Sequence, residues 1–551
     1  MSDTPISRRQ WLAMLTLSLG VSLVVMDMTI VNVAVPVIID DLGLTAAGAQ
    51  WMNAIYLLML ASLLLAAGRL GDRIGRRKVY AIGLVLFMVA SLSAGAAQNQ
   101  EMLIAARFVQ GLGAAMIVPA SLSTLNATFQ GRARGIAFAI WGSTVGGMVA
   151  VGPLLGGWLA TESTWRWAFW INIPFGLLAL VGIAKVLDET RDDDIRPGTD
   201  VAGILLSTLG LGGLVFGLIE GQYYGWWRQD SGALSPVPFS LALGALLLVA
   251  FLLVEARRAR AGAVTLVDLT LMRFRSLRYG SIAATIVALG EIGLIFTLPL
   301  LLQGALGYTP LGTGVLILWL AVGTFLASGA TPPLTQRLGQ RAVIRIGLVL
   351  EVVAIAGTAL IISEDVSGPA IAGMLFVYGV GVGMATAQLT SAILIDVPVG
   401  ASGQASGFLT TVRQLGSALG IAVLGGLLIS SLASQTADEL AKTDVPASQQ
   451  DEAVAIVRDS AGAAIPELLR DPATAEVGEA AQASLITASK ITTGIAALIL
   501  LGGLAATLAL PAAPVRPAAP VRPAGAAPAP APPASRPAEP TAGTSRRPRP
   551  E

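Results

Sequence analysis

The sequence predicts an all-helical integral membrane protein, and three observations carry that prediction. Charged residues make up 13% of the chain against 54% apolar, with a mean hydropathy of +0.73, whereas a soluble domain carries about 25% charged residues. Apolar runs of about 20 residues, the length that crosses the hydrocarbon of a bilayer, recur fourteen times. Those runs are continuous rather than alternating, which argues against a strand-built barrel.

The first run, 11–39, follows Arg8 and Arg9. It exceeds the roughly 7–15 apolar residues of a signal peptide and carries Asp27 in its middle, so it reads as a retained helix. Runs at 47–68, 79–97, 102–127, 135–160 and 167–187 complete six spans. A charged linker, DETRDDDIRPGT (188–199), leads to two extra spans, 201–220 and 236–254, whose terminal acids Glu220 and Glu255 are expected to be solvated. Because their polar groups are terminal, these two helices are expected outside the twelve-helix core. A basic connection, 256–278, precedes six more runs at 277–303, 312–332, 343–362, 369–395, 405–432 and 485–510. Between the last two lies a loop, 433–483, with ten acids and three bases. The organisation expected is a six-helix half (1–188), a linker with two extra helices (189–275), a second six-helix half (276–510) and a tail (511–551). Rich in Pro, Ala and Arg, the tail cannot bury a core and is expected to be disordered.

Charge sets the orientation. With a cytoplasmic N-terminus, inside segments hold 27 of the 35 Lys and Arg residues and outside loops hold five (Arg166, Arg228, Lys442, Arg458, Arg470). The positive-inside rule therefore places both termini in the cytoplasm of a multi-pass cell-membrane protein. Trp51, Trp158, Trp165, Trp226 and Trp227 fall where an outer aromatic belt would lie.

Several chemistries are disfavoured. There is no Cys and no His, which removes disulfides, thiolates and the commonest metal ligand. No metal site or cofactor is expected, and proton chemistry falls to carboxylates. A net charge of +1 without basic runs interleaved with aromatics gives no sign of a nucleic-acid partner. No Walker A sequence or nucleophile–base pair appears, so an enzyme or ATP-driven pump is not expected.

Sliding the chain against itself by 264 residues exposes a repeat. LGDRIGRRKVYAIG (70–83) falls on LTQRLGQRAVIRIG (334–347), and Asp27 falls on Glu291. After a four-residue slip, FVQGLG (108–113) falls on FVYGVG (376–381), with Arg107 replaced by Leu375. Parallel repeats about an axis along the membrane normal place a substrate path between two halves. Asp27 and Glu291 are expected to face it at similar depth.

Four motifs occur in order. GRLGDRIGRRKVY (68–80) resembles the loop 2–3 signature of the major facilitator superfamily, and DMTIVNVAVP (27–36) resembles the first-helix motif of its fourteen-span drug:proton antiporters, the EmrB/QacA-type group. RFVQGLGAAMIVPAS (107–121) is similar to the fourth-helix motif, and GGMVAVGPLLGGWL (146–159) to the fifth-helix antiporter motif. The resemblance spans residues 10 to about 510. It implies the major facilitator fold, alternating access and export driven by the proton motive force, with no cofactor. No acid occupies the tenth span, where some multidrug members carry a substrate-recognising carboxylate.

Candidate residues follow. Asp27 at the centre of an isolated inserted helix costs about 2.5–3.5 kcal/mol, so it is either proton-coupling or satisfied by neighbouring Thr29 or Asn32. Glu291 is either a second proton site or an anchor for a cationic substrate. Arg107 either snorkels to the interface or tunes a nearby carboxylate, with Asp27 foremost; Arg413 and Lys490 are weaker candidates of the same kind. Gly146, Gly147, Gly152, Gly156 and Gly157 allow close helix approach, and Pro153 can kink the span. Gly68, Asp72, Gly75 and Arg76 belong to the loop that the resemblance casts as a conformational latch. Asp72 is expected against the start of span thirteen, near GASGQASG (400–407), when the pump opens outward. The partners expected are protons, the lipid bilayer and a hydrophobic or cationic small molecule, handled by a monomer. A lipid-like or self-made metabolite exporter or flippase is the alternative, and a nutrient uptake facilitator the less favoured one.

Overall fold

A computed structural model describes residues 7–129, 131–191, 198, 200–221, 223–229, 232–267, 269–397 and 402–510. The tail, 511–551, lies outside the described residues. Helices run in the order α1 (Arg8–Leu42), α2 (Ala46–Ile74), α3 (Arg76–Gly95), α4 (Gln100–Thr128), α5 (Gly131–Glu162), α6 (Trp167–Trp170), α7 (Asn172–Val186), α8 (Val201–Glu220) and α9 (Val237–Arg260). There follow α10 (Arg275–Leu300), α11 (Pro310–Leu338), α12 (Gln340–Ile361), α13 (Gly368–Ile393), α14 (Ser402–Gly420), α15 (Gly426–Leu440), α16 (Ala447–Asp459), α17 (Ile465–Leu468) and α18 (Ala475–Ala506).

Thirteen of the described helical segments are long and apolar enough to cross a membrane, and the protein is a multi-pass membrane protein. The remaining expected span coincides with α5, a 32-residue helix many of whose side chains lie outside the described set. Two spans are interrupted for visible reasons. Pro174 has no N–H to bond back towards Trp170, and the sixth span divides there into α6 and α7. A π-turn, Ile421–Gly425, joins α14 to α15 so that one span runs from 405 to 440.

The repeat is physical. Displacing α2 by 264 residues gives the limits of α11. Within the first half α1 packs on α5 and α7, α2 on α4, and α3 on α4 and α7; within the second, α10 packs on α14 and α18, α11 on α13, and α12 on α13 and α18. Even the close crossings match. A Cβ on Gly83 would lie 2.9 Å from the Gly113 carbonyl oxygen, and one on Gly347 would lie 2.7 Å from that of Gly381. Gly75 and Gly339 both turn the chain between helices at positive φ, +116° and +82°, where a side chain would be strained.

Gly407 of α14 abuts Leu65 of α2 towards the chain-start side, and further contacts between the halves lie at the opposite face. There the Gln303 amide donates to the Val33 carbonyl (2.9 Å), the Leu311 N–H donates to Thr161 Oγ1 (3.1 Å), and Gly425 abuts Gln50. At the chain-start face, Arg9 pairs with Asp188 (2.7 Å), tying the beginning of α1 to the end of α7.

Three expectations need correction. The loop 433–483 is largely helical: burial of Leu432, Thr436 and Leu440 at four-residue spacing carries α15 past the apolar run, and α18 begins ten residues before its own. Only 441–474 links the two, with α16 packed on α15. Glu255 is fully buried rather than solvated, because the chain after α9 folds back and the Val267 N–H donates to Glu255 Oε2 (2.9 Å). Glu220 is not free in solvent either, since Trp51 Nε1 donates to its Oε1 (2.8 Å).

Helices α8 and α9 pack on each other, and α8 also lies against α2 and the Ile421–Gly425 turn. Only Val237, Gly244 and Glu255 of α9 are buried, which leaves most of this helix on the periphery.

Candidate functional site

In the first half one polar cluster lies at the depth of the helix centres. Helix α1 supplies Asp27, and α4 supplies Arg107 together with Gln110 one turn later on the same face. The break before α7 sets Asn172 at its first turn, facing inward. Arg107 Nη1 donates to Asp27 Oδ2 in an ion pair whose side chains are 1% and 0% exposed. Gln110 Nε2 (2.6 Å) and Asn172 Nδ2 (3.0 Å) both donate to Asp27 Oδ1, and both reach Ser91 Oγ on α3 (2.9 and 3.2 Å). The guanidinium also donates from Nε to the Met52 carbonyl (3.0 Å) and lies over the Tyr56 ring at 4.2 Å.

This geometry removes one alternative for each residue. Arg107 does not snorkel. Asp27 takes its partners from α4 and α7, while Thr29 and Asn32 bond the backbone carbonyls of Met26 (3.0 Å) and Met28 (3.0 Å). Nor does Asp27 face a path between the halves as expected: it points into the interior of its own half, because every donor that compensates its burial is there. Ion pairs sealed from water are stable only when such additional hydrogen bonds complete them.

Glu291, the repeat counterpart, sits buried in α10, and its Oε1 has no hydrogen-bond partner among the described residues. It too lies inside its half. Arg413 on α14 is its charged neighbour. Lys490 is exposed on α18 and takes no part.

In the loop after α2, Arg76 Nε bonds Asp72 Oδ1 at 2.7 Å. The Glu189 carboxylate lies over Gly75 and accepts from the Arg77 N–H (3.0 Å). Gly68 lets α2 approach Pro119, to which a Cβ would stand 3.4 Å away. The segment proposed to receive Asp72 falls partly outside the described residues, at 398–401 and the side chains of 402–404.

Known proteins match this architecture. The sequence pattern of the Major Facilitator Superfamily matches residues 17–421. The chain belongs to that superfamily. The tetracenomycin C resistance and export protein of Streptomyces glaucescens is 32% identical over 83% of this chain and 83% of the relative. The multidrug efflux pump LfrA of Mycolicibacterium smegmatis is 30% identical over 92% of this chain and 97% of the relative. A crystal structure of a bacterial homologue of the human lysosomal transporter Spinster, inward-facing and unoccupied, superposes with a TM-score of 0.62 at 16% identity, covering 92% and 98% of the two chains.

Within this Major Facilitator fold the fifth-helix glycines divide into two kinds. A Cβ on Gly152 would strike Thr29, and one on Gly156 would strike the Ile30 carbonyl oxygen. At the 264-residue offset Gly416 and Gly420 press in the same way on the carbonyls of Thr285 and Leu289. Gly152 and Gly156 therefore serve a helix crossing common to both halves. Gly157 instead abuts the Pro310 carbonyl oxygen of α11, and the Pro153 carbonyl abuts Gly314, so these two belong to the contact between halves. Gly147 has open space around it, and the surroundings of Gly146 lie outside the described side chains.

Sequence reasoning missed Gln110, Asn172, Ser91 and Tyr56. For Gln110 a signal existed: it follows Arg107 by three residues in the otherwise apolar stretch 102–120.

Proposed function

We propose that this superfamily member is a proton-coupled secondary exporter of amphipathic or hydrophobic small molecules. It would work by alternating access as a monomer, with the proton motive force in place of any cofactor and without enzymatic chemistry. The observation that carries the reading is the Asp27–Arg107 pair. A carboxylate at bilayer depth that gains a proton loses its attraction to the guanidinium, so proton binding and the packing of α1 against α4 are linked. The export and efflux named for the two relatives supports the same reading. On the charge-based orientation, with both termini cytoplasmic, the face opposite the start of the chain is the outer one.

A potential of 100 mV supplies about 2.3 kcal/mol per charge, so one proton sustains more than a tenfold gradient. Everted vesicles loaded with ethidium test the proposal. A protonophore is expected to collapse accumulation, and accumulation that survives it would refute proton coupling.

Asp72 then acts as a latch against the start of α14 in the outward-open state, where free helix N–H groups favour a carboxylate by about 0.3–1 kcal/mol. With the far face closed, Asp72 stays on Arg76. Asp72→Asn is expected to slow ethidium export without weakening ethidium binding, since a latch shifts populations rather than building the site. Undiminished turnover would reduce the loop to a topology anchor.

A further inference from the structure

The two halves differ where their repeat superposes. In the first half Asp27 is fully hydrogen-bonded. In the second, Leu375 stands in place of Arg107 and Tyr378 in place of Gln110, and a second acid, Glu351, enters from α12 where the first half has Phe87. Glu351 is 0% exposed, and neither of its carboxyl oxygens has a hydrogen-bond partner among the described residues. The same is true of Glu291 Oε1 and the Tyr378 hydroxyl. The Glu351 side chain is seated by a glycine: a Cβ on Gly381 of α13 would lie 2.7 Å from its Cγ.

The charged groups facing Glu351 can be counted by helix. Glu291 comes from α10 and Arg413 from α14. Helix α13 offers only the Tyr378 phenol, while Lys490 of α18 is exposed. Arg345 and Arg341 lie six and ten residues before Glu351 on α12 itself, and Arg337 lies in the last turn of α11. Arg413 is thus the one cation acting on both carboxylates, without an ion pair to either among the described residues. A carboxylate sealed from water without donors is costly, and a single proton brings this cluster to neutrality.

We propose that Glu351 is a second proton-binding site in the C-terminal half, separate from Asp27. This rests on the proton-coupled reading above and extends it to two sites per transporter.

Infrared difference spectroscopy on the purified full chain in nanodiscs, stepped from acidic to alkaline pH, tests it through the C=O stretch of protonated carboxyls. In the wild type a carboxyl band is expected to bleach as the pH rises. Glu351→Gln is expected to lose one component of that band, a component that Asp27→Asn keeps, and Glu351→Asp to keep it at a shifted frequency. Full amplitude in Glu351→Gln, or a wild-type band that never responds to pH, overturns the proposal. If the Gln variant yields no protein, the Asp variant decides, and an unshifted band is the negative result. Neither substrate nor gradient enters the measurement. A titrating Glu351 alongside a protonophore-insensitive pump would therefore sink the proton-coupled reading and leave the site standing.

Discussion

Asp27→Asn is expected to reduce ethidium export to the level of empty vesicles and to lower the thermal midpoint of the purified protein. Both effects arise from the same pair. Neutralising Asp27 removes the titrating group and leaves the buried Arg107 cation without a counter-charge, beside the Met52 carbonyl, Gln110 Oε1 (2.8 Å) and the Tyr56 and Phe169 rings. Breaking a buried pair by removing one partner costs about 3–5 kcal/mol. The double variant Asp27→Asn/Arg107→Gln removes both charges and is expected to recover most of the stability but none of the export. Measuring melting and vesicle transport on the three proteins separates folding from coupling. Export by the double variant would move the essential proton to the C-terminal half.

The second large effect concerns neighbouring glycines with different partners. Gly156→Ala drives a Cβ into the Ile30 backbone inside the first half, so yield and thermal stability are expected to fall. Gly157→Ala drives one into the Pro310 carbonyl across the contact between halves, which can yield only by separating them. Overpacking of this kind costs about 1–3 kcal/mol, roughly a tenfold to hundredfold change in the ratio of closed to open far face. The chain has no native Cys, so one cysteine in place of the buried Val33, which packs among second-half side chains, reports the opening through a membrane-impermeant maleimide. Gly157→Ala is expected to speed labelling at unchanged melting temperature. Labelling at the wild-type rate would mean that the junction does not hinge there.

Much of the fold was legible because a bilayer imposes run length, and because the offset that pairs Gly75 with Gly339 also pairs helix limits. The site was legible only in part. Asp27 and Arg107 stand out as charges in apolar runs. Asn172 and Ser91 are neutral, and only helix packing turns them towards Asp27. The repeat itself concealed Glu351, since its counterpart is Phe87 and no shared pattern drew the eye. Glu255 misled for a different reason: three arginines follow it closely, and nothing local reveals that 261–267 folds back to bury it.

Helix α8 covers one of the two lines along which the halves meet. Trp51 holds Glu220, and Phe216 lies against the Trp51 ring at 6.4 Å, so α8 stands beside the line where α2 meets α14 and the turn after it. The opposite line, where α5 meets α11, has no such neighbour among the described residues, and Trp158, Trp319 and Phe325 are exposed around it. To a greasy molecule diffusing sideways in the membrane, the transporter therefore presents one shuttered flank and one bare one.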